Sequence, residues 1–396
     1  MPEPLDLILR YAERVAPLED LRSRLSSGRK LRVKLGLDPT APAVTLGWAV
    51  VLRKLRHFQE LGHTAVLIVG DFTAQVGDPS GRNEARPRLS AEEIRGYADS
   101  VLTQFERVLL PRDLEVRYNS EWLGELEMAD ILRLASQVTV AQMLERADFA
   151  SRFSGGNPIS LMEFLYPLLQ GYDSVAVEAD VELGGADQLW NLMMGRVIQE
   201  RYGLRPQVAL TMPLLVGTDG RQKMSQSLGN YIGVEEPPAD MFGRVLSIPD
   251  TLMLSWFRLA ADYEPRRVEE LGVAIQDGSL PAVEAKRLLA REIVTLYWGR
   301  EAAAEAQEAF DRVFRQRLAP EVVPEYSLPA GDPIFLPALL KSAGLTVSSS
   351  DARRLIAQGA VRLDGSAVTG EQVPRSELLN RVIQVGKRRF LRVVGV

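Results

Sequence analysis

Lys223, Ser225 and Ser227 crowd into one short stretch, G-R-Q-K-M-S-Q-S-L-G-N over residues 220–230, with glycine near both ends. A cation and hydroxyls on a loop free to move suit closure over a polyphosphate, where developing charge needs donors. Far upstream, V-K-L-G-L-D-P-T-A-P-A-V-T-L-G-W begins at Val33 and carries Gly47 near its end. A glycine at a helix N-terminus lets a ligand approach the backbone where orphan N–H groups and the dipole favour phosphate. A third group, Tyr166, Gln170 and Asp173 in Y-P-L-L-Q-G-Y-D, stands at i, i+4 and i+7. On a helix that spacing makes one polar stripe, which is either solvated or turned into a polar pocket.

The elements that must position these residues follow from periodicity. Val33, Leu35 and Leu37 alternate as a short strand, Asp38-Pro39-Thr40-Ala41-Pro42 breaks it, and Val51, Leu55 and Phe58 recur at helical spacing, so a helix starts near Leu46-Gly47. Residues 64–70 are nearly unbroken apolar, as a strand buried on both faces reads. Further strands are expected at 114–118, 175–183 and 208–216, and helices at 128–146 and 161–172. Ser90 with Glu93 three residues on marks a helix start. Strands alternating with helices predict an α/β fold, a doubly wound parallel sheet with its site at the strands' C-terminal ends. Residues 5–28 are expected as two short amphipathic helices meeting near Pro17, burying Ile8, Tyr11, Val15 and Leu18.

The division expected is a catalytic domain over 1–232, a helical domain over 233–319, a proline-rich linker over 320–332 and a small α+β domain over 333–396. In that last domain, short helices near 334–344 and 351–359 precede a hairpin at Asp364-Gly365.

Composition narrows the class. With 46% hydrophobic and 25% charged residues, 396 residues can form two or three full cores. Zero Cys excludes a disulfide framework, a thiolate metal site and a cysteine nucleophile. Only two histidines are present, His57 and His63, and both are expected solvated or capping, so no bound protein metal is expected. The start M-P-E-P-L-D lacks a signal peptide's basic and apolar parts, and no apolar run approaches a membrane span; the expectation is a cytoplasmic protein with no membrane partner. Residues 333–396 hold ten Lys and Arg against four Asp and Glu, a net +6, leaving −11 for the rest of a chain whose total is −5. A basic tail on an acidic body points to a polyanion partner.

The D-P-T-A-P and x-L-G-x pattern resembles the first signature of class I aminoacyl-tRNA synthetases, in the form found in tyrosyl-tRNA synthetases, and Lys223 to Ser227 resembles the second. In two places the chain departs from the pattern. The family writes His-Leu-Gly-His where this chain has Thr45-Leu46-Gly47-Trp48, and Gln226 stands where a second lysine is usual. The resemblance implies a Rossmann-like catalytic domain, a helical anticodon-side domain and an S4-like RNA-binding domain. It implies a ligase that activates tyrosine with ATP and Mg2+ as the substrate complex, charges tRNA(Tyr), and forms a homodimer.

By the same resemblance the catalytic group is Lys223, Thr45, Trp48 and Thr40. ATP falls to Asp38, Gly47, Asp187, Gln188, Met224, Ser225 and Ser227. Tyrosine falls to Lys34, Asp78, Tyr166, Gln170, Asp173 and Gln188, and RNA to Arg353, Arg354, Arg362, Lys387, Arg388 and Arg389. Loss of both imidazoles leaves a second reading open, a relative that binds tyrosine and RNA with weak or no activation. A third, an unrelated nucleotide-dependent ligase, would need a different amino-acid pocket.

Overall fold

The computed structural model describes residues 3–78, 89–314, 323–386 and 389–395. Two compact units divide the chain, Met1–Pro237 with Arg244–Tyr297, and Pro238–Gly243 with Trp298–Val396.

The first unit is built on a six-stranded sheet of order β1-β6-β5-β2-β3-β4. Its strands are β1 Arg14–Ala16, β2 Arg32–Leu37, β3 Thr64–Val69, β4 Leu114–Tyr118, β5 Val181–Gly185 and β6 Val208–Met212. All neighbours are parallel except β1, which runs antiparallel to β6 at the edge. The central strands are apolar on both faces because helices cover both, and Ala65 to Val69 and Val208 to Leu210 are almost fully buried. Helices Leu46–Glu60 and Leu189–Arg201 pack against these strands, and helix Leu161–Ala176 packs on Leu189–Arg201.

The expected strand–loop–helix at residues 33–60 and the capping box at Ser90 and Glu93 both form. The amino terminus differs: helix Pro4–Leu9 and helix Leu18–Ser26 are separated by β1, whose three residues are too few to show a period. Ile8 is buried, but Leu18 is exposed and Leu21 takes the core position instead. Residues 175–183 also differ, since the helix runs on to Ala176 and the strand begins only at Val181. The β-branched residues there suit either state.

Beyond residue 230 the first unit is helical; the long run Ala282–Phe314 begins in it and is broken at Gly299, within the second unit, where φ of 88° is outside the helical region. The second unit holds a mixed sheet of order β10-β9-β12-β13-β7, made of β7 Glu325–Ser327, β9 Val361–Leu363, β10 Ser366–Ala367, β12 Val382–Val385 and β13 Arg389–Val394. A separate pair joins β8 Ile334–Phe335 to β11 Gln372–Val373. The hairpin at Asp364-Gly365 forms. The stretch expected as a linker instead contributes β7, pairing in parallel with β13, and Leu328 enters that unit's apolar core. Among the described residues no helix is long and apolar enough to cross a membrane.

Both histidines are buried in side-chain contacts distant in sequence, where a solvated or capping role was expected. His57 bonds Asp262 through Nε2 at 2.9 Å, beside Arg10, and burial pushes its pKa down. His63 Nδ1 accepts the Leu31 N–H at 3.3 Å. The polar side of helix Leu46–Glu60 is thus covered too, by segments distant in sequence, and Lys54 on it donates to the carbonyls of Leu7 and Arg10.

Candidate active site

Helix Leu161–Ala176 starts at a capping box between Ser160 and Glu163 and turns its polar stripe inward. Tyr166 and Asp173 are buried and Gln170 is half-buried, so the stripe faces the interior and not solvent. The Tyr166 hydroxyl donates to Asp38 Oδ2 at 3.0 Å, and Thr73 donates to Asp38 Oδ1 at 2.7 Å. Asp38, expected at the nucleotide, thereby has both oxygens engaged on the pocket side, and burial beside Asp38 and Asp78 pushes the Tyr166 phenol well above its usual pKa.

Asp173 is buried as well. The Trp122 indole N–H donates to Oδ1 at 2.8 Å and Asn119 Nδ2 reaches Oδ2 at 3.4 Å. Burial pushes its carboxyl up to about 7, against the opposing pull of Lys34 and of those two donors. A carboxyl held there can meet a phenol O–H in a site closed to bulk water.

Lys34 lies beneath the helix, fully buried, and donates to the Gln170 carbonyl at 2.9 Å and Ser174 Oγ at 2.7 Å, with Glu182 Oε1 at 2.9 Å. Glu182 also accepts from Gln170 Nε2 at 3.2 Å. A buried cation and carboxylate neutralise each other and fix the Gln170 amide, so Lys34 acts on the helix, not from the pocket surface. The amide's other end, Gln170 Oε1, is buried with no partner among the described residues. A buried acceptor left open costs free energy unless something donates to it, and a ligand ammonium or hydroxyl would.

Underneath, glycines bring two helices together. A methyl group on Gly171 would lie 2.9 Å from Ile198, and one on Gly195 would lie 2.5 Å from Gln207 Nε2 and 3.0 Å from Glu182 Oε2.

On the opposite side, Gln188 Nε2 donates to Asp78 Oδ2 at 3.0 Å, Asn191 Nδ2 donates to Gln188 Oε1 at 3.0 Å, and Arg146 donates to Asn191 Oδ1 at 3.1 Å. Arg146 is itself clamped by Asp148 and stands 3.9 Å from Asp78. Next to this chain of bonds, Lys223 Nζ donates to Asp187 Oδ2 at 2.7 Å.

The first loop closes the site. Thr45 is the N-cap of helix Leu46–Glu60, and its Oγ1 accepts the Trp48 N–H at 3.2 Å. One lone pair of the hydroxyl is used in this way; its proton is still free to donate. The Gly47 N–H meets Met224 Sδ at 3.2 Å, so the two loops touch at the helix start. Thr40 N–H turns back to the Asp38 carbonyl at 2.9 Å, and Ser225 and Ser227 share a hydrogen bond of 2.9 Å.

Sequence reasoning missed Trp122, Asn119, Thr73, Arg146, Asn191 and Glu182. Asn119 and Trp122 were legible only as the end of a strand; their signal, a polar residue and a tryptophan just past a β-strand's C-terminal end, is the place where sites of this fold lie.

The basic candidates of the second unit fall on its helix and sheet. Arg353 bonds Glu371 at 3.1 Å and lies over the Phe335 ring, Arg354 pairs with Asp351, and Arg389 donates to the Leu345 carbonyl. Arg362 projects exposed from β9. Lys387 and Arg388 lie outside the described residues. Among those described, no group of three or more His, Cys, Asp or Glu could hold a metal ion.

A parallel sheet whose strand ends carry a nucleotide-type loop, a polar pocket and a basic loop matches what comparison finds. Residues 26–315 match the family described as tRNA synthetases class I (W and Y), and the chain belongs to it. A tyrosine–tRNA ligase of Carboxydothermus hydrogenoformans is 48% identical over 98% of this chain and 97% of the relative; one of Moorella thermoacetica is 49% identical over 98% and 95%. Among solved structures, a tyrosyl-tRNA synthetase from Archaeoglobus fulgidus complexed with L-tyrosine superposes with a TM-score of 0.62 at 27% identity, over 77% of this chain and 99% of that one. Within the class, the chain's family is that of the tyrosyl-tRNA synthetases.

Proposed function

We infer that this chain is a tyrosine–tRNA ligase, using ATP to make tyrosyl-adenylate and passing the tyrosyl group to tRNA(Tyr). Near-full-length identity to ligases of that specificity supports the reaction. The observation that carries the amino-acid choice is Asp173, a buried carboxyl held by Trp122 and Asn119 on the same helix face as Gln170, whose Oε1 is buried without a partner among the described residues. The phenol O–H of tyrosine donates to Asp173, while Gln170, Asp78 and Tyr166 receive the ammonium. Phenylalanine would leave the buried Asp173 without its partner. This enzyme class is itself the general illustration of such rejection, which reaches ~10⁵-fold there.

In the first step a tyrosine carboxylate oxygen attacks the α-phosphorus of ATP and the bond to the bridging oxygen breaks, releasing pyrophosphate. Mg2+ enters with ATP as part of the substrate. The chain's work is positioning and charge: Lys223 leaves Asp187 for the departing phosphates, Asp187 turns to the ribose, and Thr45 Oγ1–H and Trp48 Nε1–H donate where the family signature has imidazoles. Gly47 N–H, Ser225, Ser227 and Met224 line the same edge. In the second step the terminal ribose hydroxyl of tRNA attacks the tyrosyl carbonyl carbon, and AMP leaves.

Domain roles are part of the same reading: catalysis in 1–232, tRNA contact in 233–319, and an S4-like RNA-binding module in 333–396, with Arg353, Arg354, Arg362, Lys387, Arg388 and Arg389 toward phosphate. A cytoplasmic homodimer fits as well. Met128, Leu132, Val140, Phe153 and Leu161 are all largely exposed within one stretch of the first unit, an apolar surface suited to a second copy. Tyrosine-dependent ATP–pyrophosphate exchange, with phenylalanine as control and followed by charging of tRNA(Tyr), tests the whole. Exchange that is absent with every amino acid, despite tight tyrosine binding, would establish the binding-only reading that the missing histidines favour.

A further inference from the structure

Gln226 occupies the position where the signature it resembles has a second lysine, and its amide closes a two-way pair with a single residue of the opposite loop. The Ala43 N–H donates to Oε1 at 3.2 Å, and Nε2 donates to the Ala43 carbonyl at 2.6 Å. Gln104, on helix Ala91–Phe105, makes the same kind of pair with the flanking residues: the Val44 N–H reaches its Oε1 at 2.6 Å, and its Nε2 reaches the Pro42 carbonyl at 2.7 Å. The backbone of 42–44 is therefore read by two side-chain amides, one from a fixed helix and one from the 217–230 loop.

That loop keeps its shape by other means. Asn230, buried, accepts the Ser225 N–H at 2.9 Å and donates to the Lys223 carbonyl at 3.2 Å, while the Gly217 N–H reaches the Gln222 carbonyl at 2.8 Å. None of these bonds fixes where the loop lies against residues 38–47. Just past the loop, the Leu46 N–H donates to the Ile232 carbonyl and the Val234 N–H to the Val44 carbonyl, each at 2.8 Å, which anchors its exit. Within the loop, among the described residues, the side chains that reach residues 42–47 are Gln226 with its amide pair and Met224 with its thioether at Gly47, while the Lys223–Asp187 ion pair ties the loop to the segment after β5. A thioether is a weak acceptor, and the ion pair is half-exposed, screened by salt and made of groups that a nucleotide would claim. Of the three side-chain contacts, the amide pair is the one that is neutral, two-way and independent of ligand.

We propose that Gln226 is a positioning residue that latches the 217–230 loop onto the 42–44 turn, so that Lys223, Ser225 and Ser227 stand at the nucleotide site before ATP arrives. The proposal rests on the reading of that site as an ATP site. The latch needs a donor and an acceptor at one length: Glu lacks the donor, Lys lacks the acceptor, and Asn is too short.

Trypsin cleavage after Arg221 and Lys223 in the ligand-free full chain reads the latch without reference to activity. The parent chain is expected to resist at low and high salt alike, and Gln226→Ala and Gln226→Glu to be cut about tenfold faster, as loss of two hydrogen bonds implies. Gln226→Lys should fall between, and thermal unfolding of all three should match the parent. In pyrophosphate exchange, Gln226→Ala should raise the KM for ATP about tenfold and leave that for tyrosine unchanged. Equal cleavage of the parent and Gln226→Ala, or a Gln226→Glu that behaves as the parent, would overturn the latch. Faster cleavage with an unmoved KM for ATP would overturn its positioning role.

Discussion

The indole N–H of Trp122 donates to Asp173 Oδ1 at 2.8 Å, joining a residue just past β4 to the polar stripe of helix Leu161–Ala176. The bond holds the carboxyl in one orientation, with Oδ2 toward Asn119. Burial nonetheless keeps Asp173 partly protonated near neutrality, at about 7.

A pH dependence of specificity follows. An ionised carboxylate is the stronger acceptor for a phenol O–H, so preference for tyrosine over phenylalanine should rise about tenfold between pH 6 and pH 8 as Asp173 loses its proton. The ratio of kcat/KM values in pyrophosphate exchange measures it. In Asp173→Asn the preference should be low and flat with pH, and an Asn variant as selective as the parent would remove Asp173 from the pocket.

The same group acts on stability. Its folded pKa lies above the unfolded value of 3.8, so between pH 4 and pH 7 the unfolded chain releases a proton that the fold retains. Stability therefore falls as pH rises through that window and is level above it. Asp173→Asn should flatten this part of the profile by a few kcal/mol. Denaturant unfolding of parent and variant at pH 5 and pH 7.5 decides the matter.

Thr45 caps its helix, and the donor role proposed for it can be separated from the cap by substitution. Thr45→Val removes an N-cap, costing about 1 kcal/mol, and also a donor, which should slow adenylate formation by ~10²-fold with tyrosine affinity little changed. Thr45→Ser should restore both. Trp48→Phe should slow activation alone, and His at both positions should raise it. Were Thr45→Val to unfold more easily yet activate at the parent rate, the hydroxyl would be a cap and nothing more.

Among the arginines of the second unit, Arg353 already shares its charge with Glu371, whereas Arg362 projects from β9 into solvent. Arg362→Gln should therefore weaken tRNA binding more than Arg353→Gln does, and lower the slope of log affinity against log salt by about 1. Titrations at three salt concentrations supply both numbers, and an unchanged slope would exclude Arg362 from phosphate contact.

Lys54 gives a stability change of opposite sign. Burial lowers its pKa from 10.5 to about 7, so from pH 7 to pH 10 the unfolded chain holds a proton that the fold does not, and stability rises with pH in that range. Lys54→Met should lose that rise, although it orphans the carbonyls of Leu7 and Arg10 and lowers stability at every pH. A slope equal to the parent's would place the titration elsewhere.

The sequence made legible whatever rests on local pattern. The loop ending at Gly47, the helix behind it, the buried β3 and the Tyr166–Gln170–Asp173 stripe all announce themselves within one or two turns of chain. Partners brought in from afar do not. His57 looked solvated because the segments covering it, near residues 10 and 262, are some fifty and two hundred residues away. β1 and β7 are three residues each and exist only through their neighbours. Gln226 read as a lost cation; the meaning of its amide depends on Ala43.

Gly171 and Gly195 set a limit on how this enzyme can be re-engineered. With their helices already at backbone distance, any side chain at Gly195 presses on Glu182 and Gln207, and Glu182 holds the Gln170 amide through Lys34 and Nε2. A library that seeks room for a bulkier amino acid can vary the pocket from Asp173, Tyr166 and Trp122 inward, but the layer beneath has no slack to give. Variants selected for larger tyrosine analogues should therefore accumulate changes around the ring's far end and leave both glycines untouched.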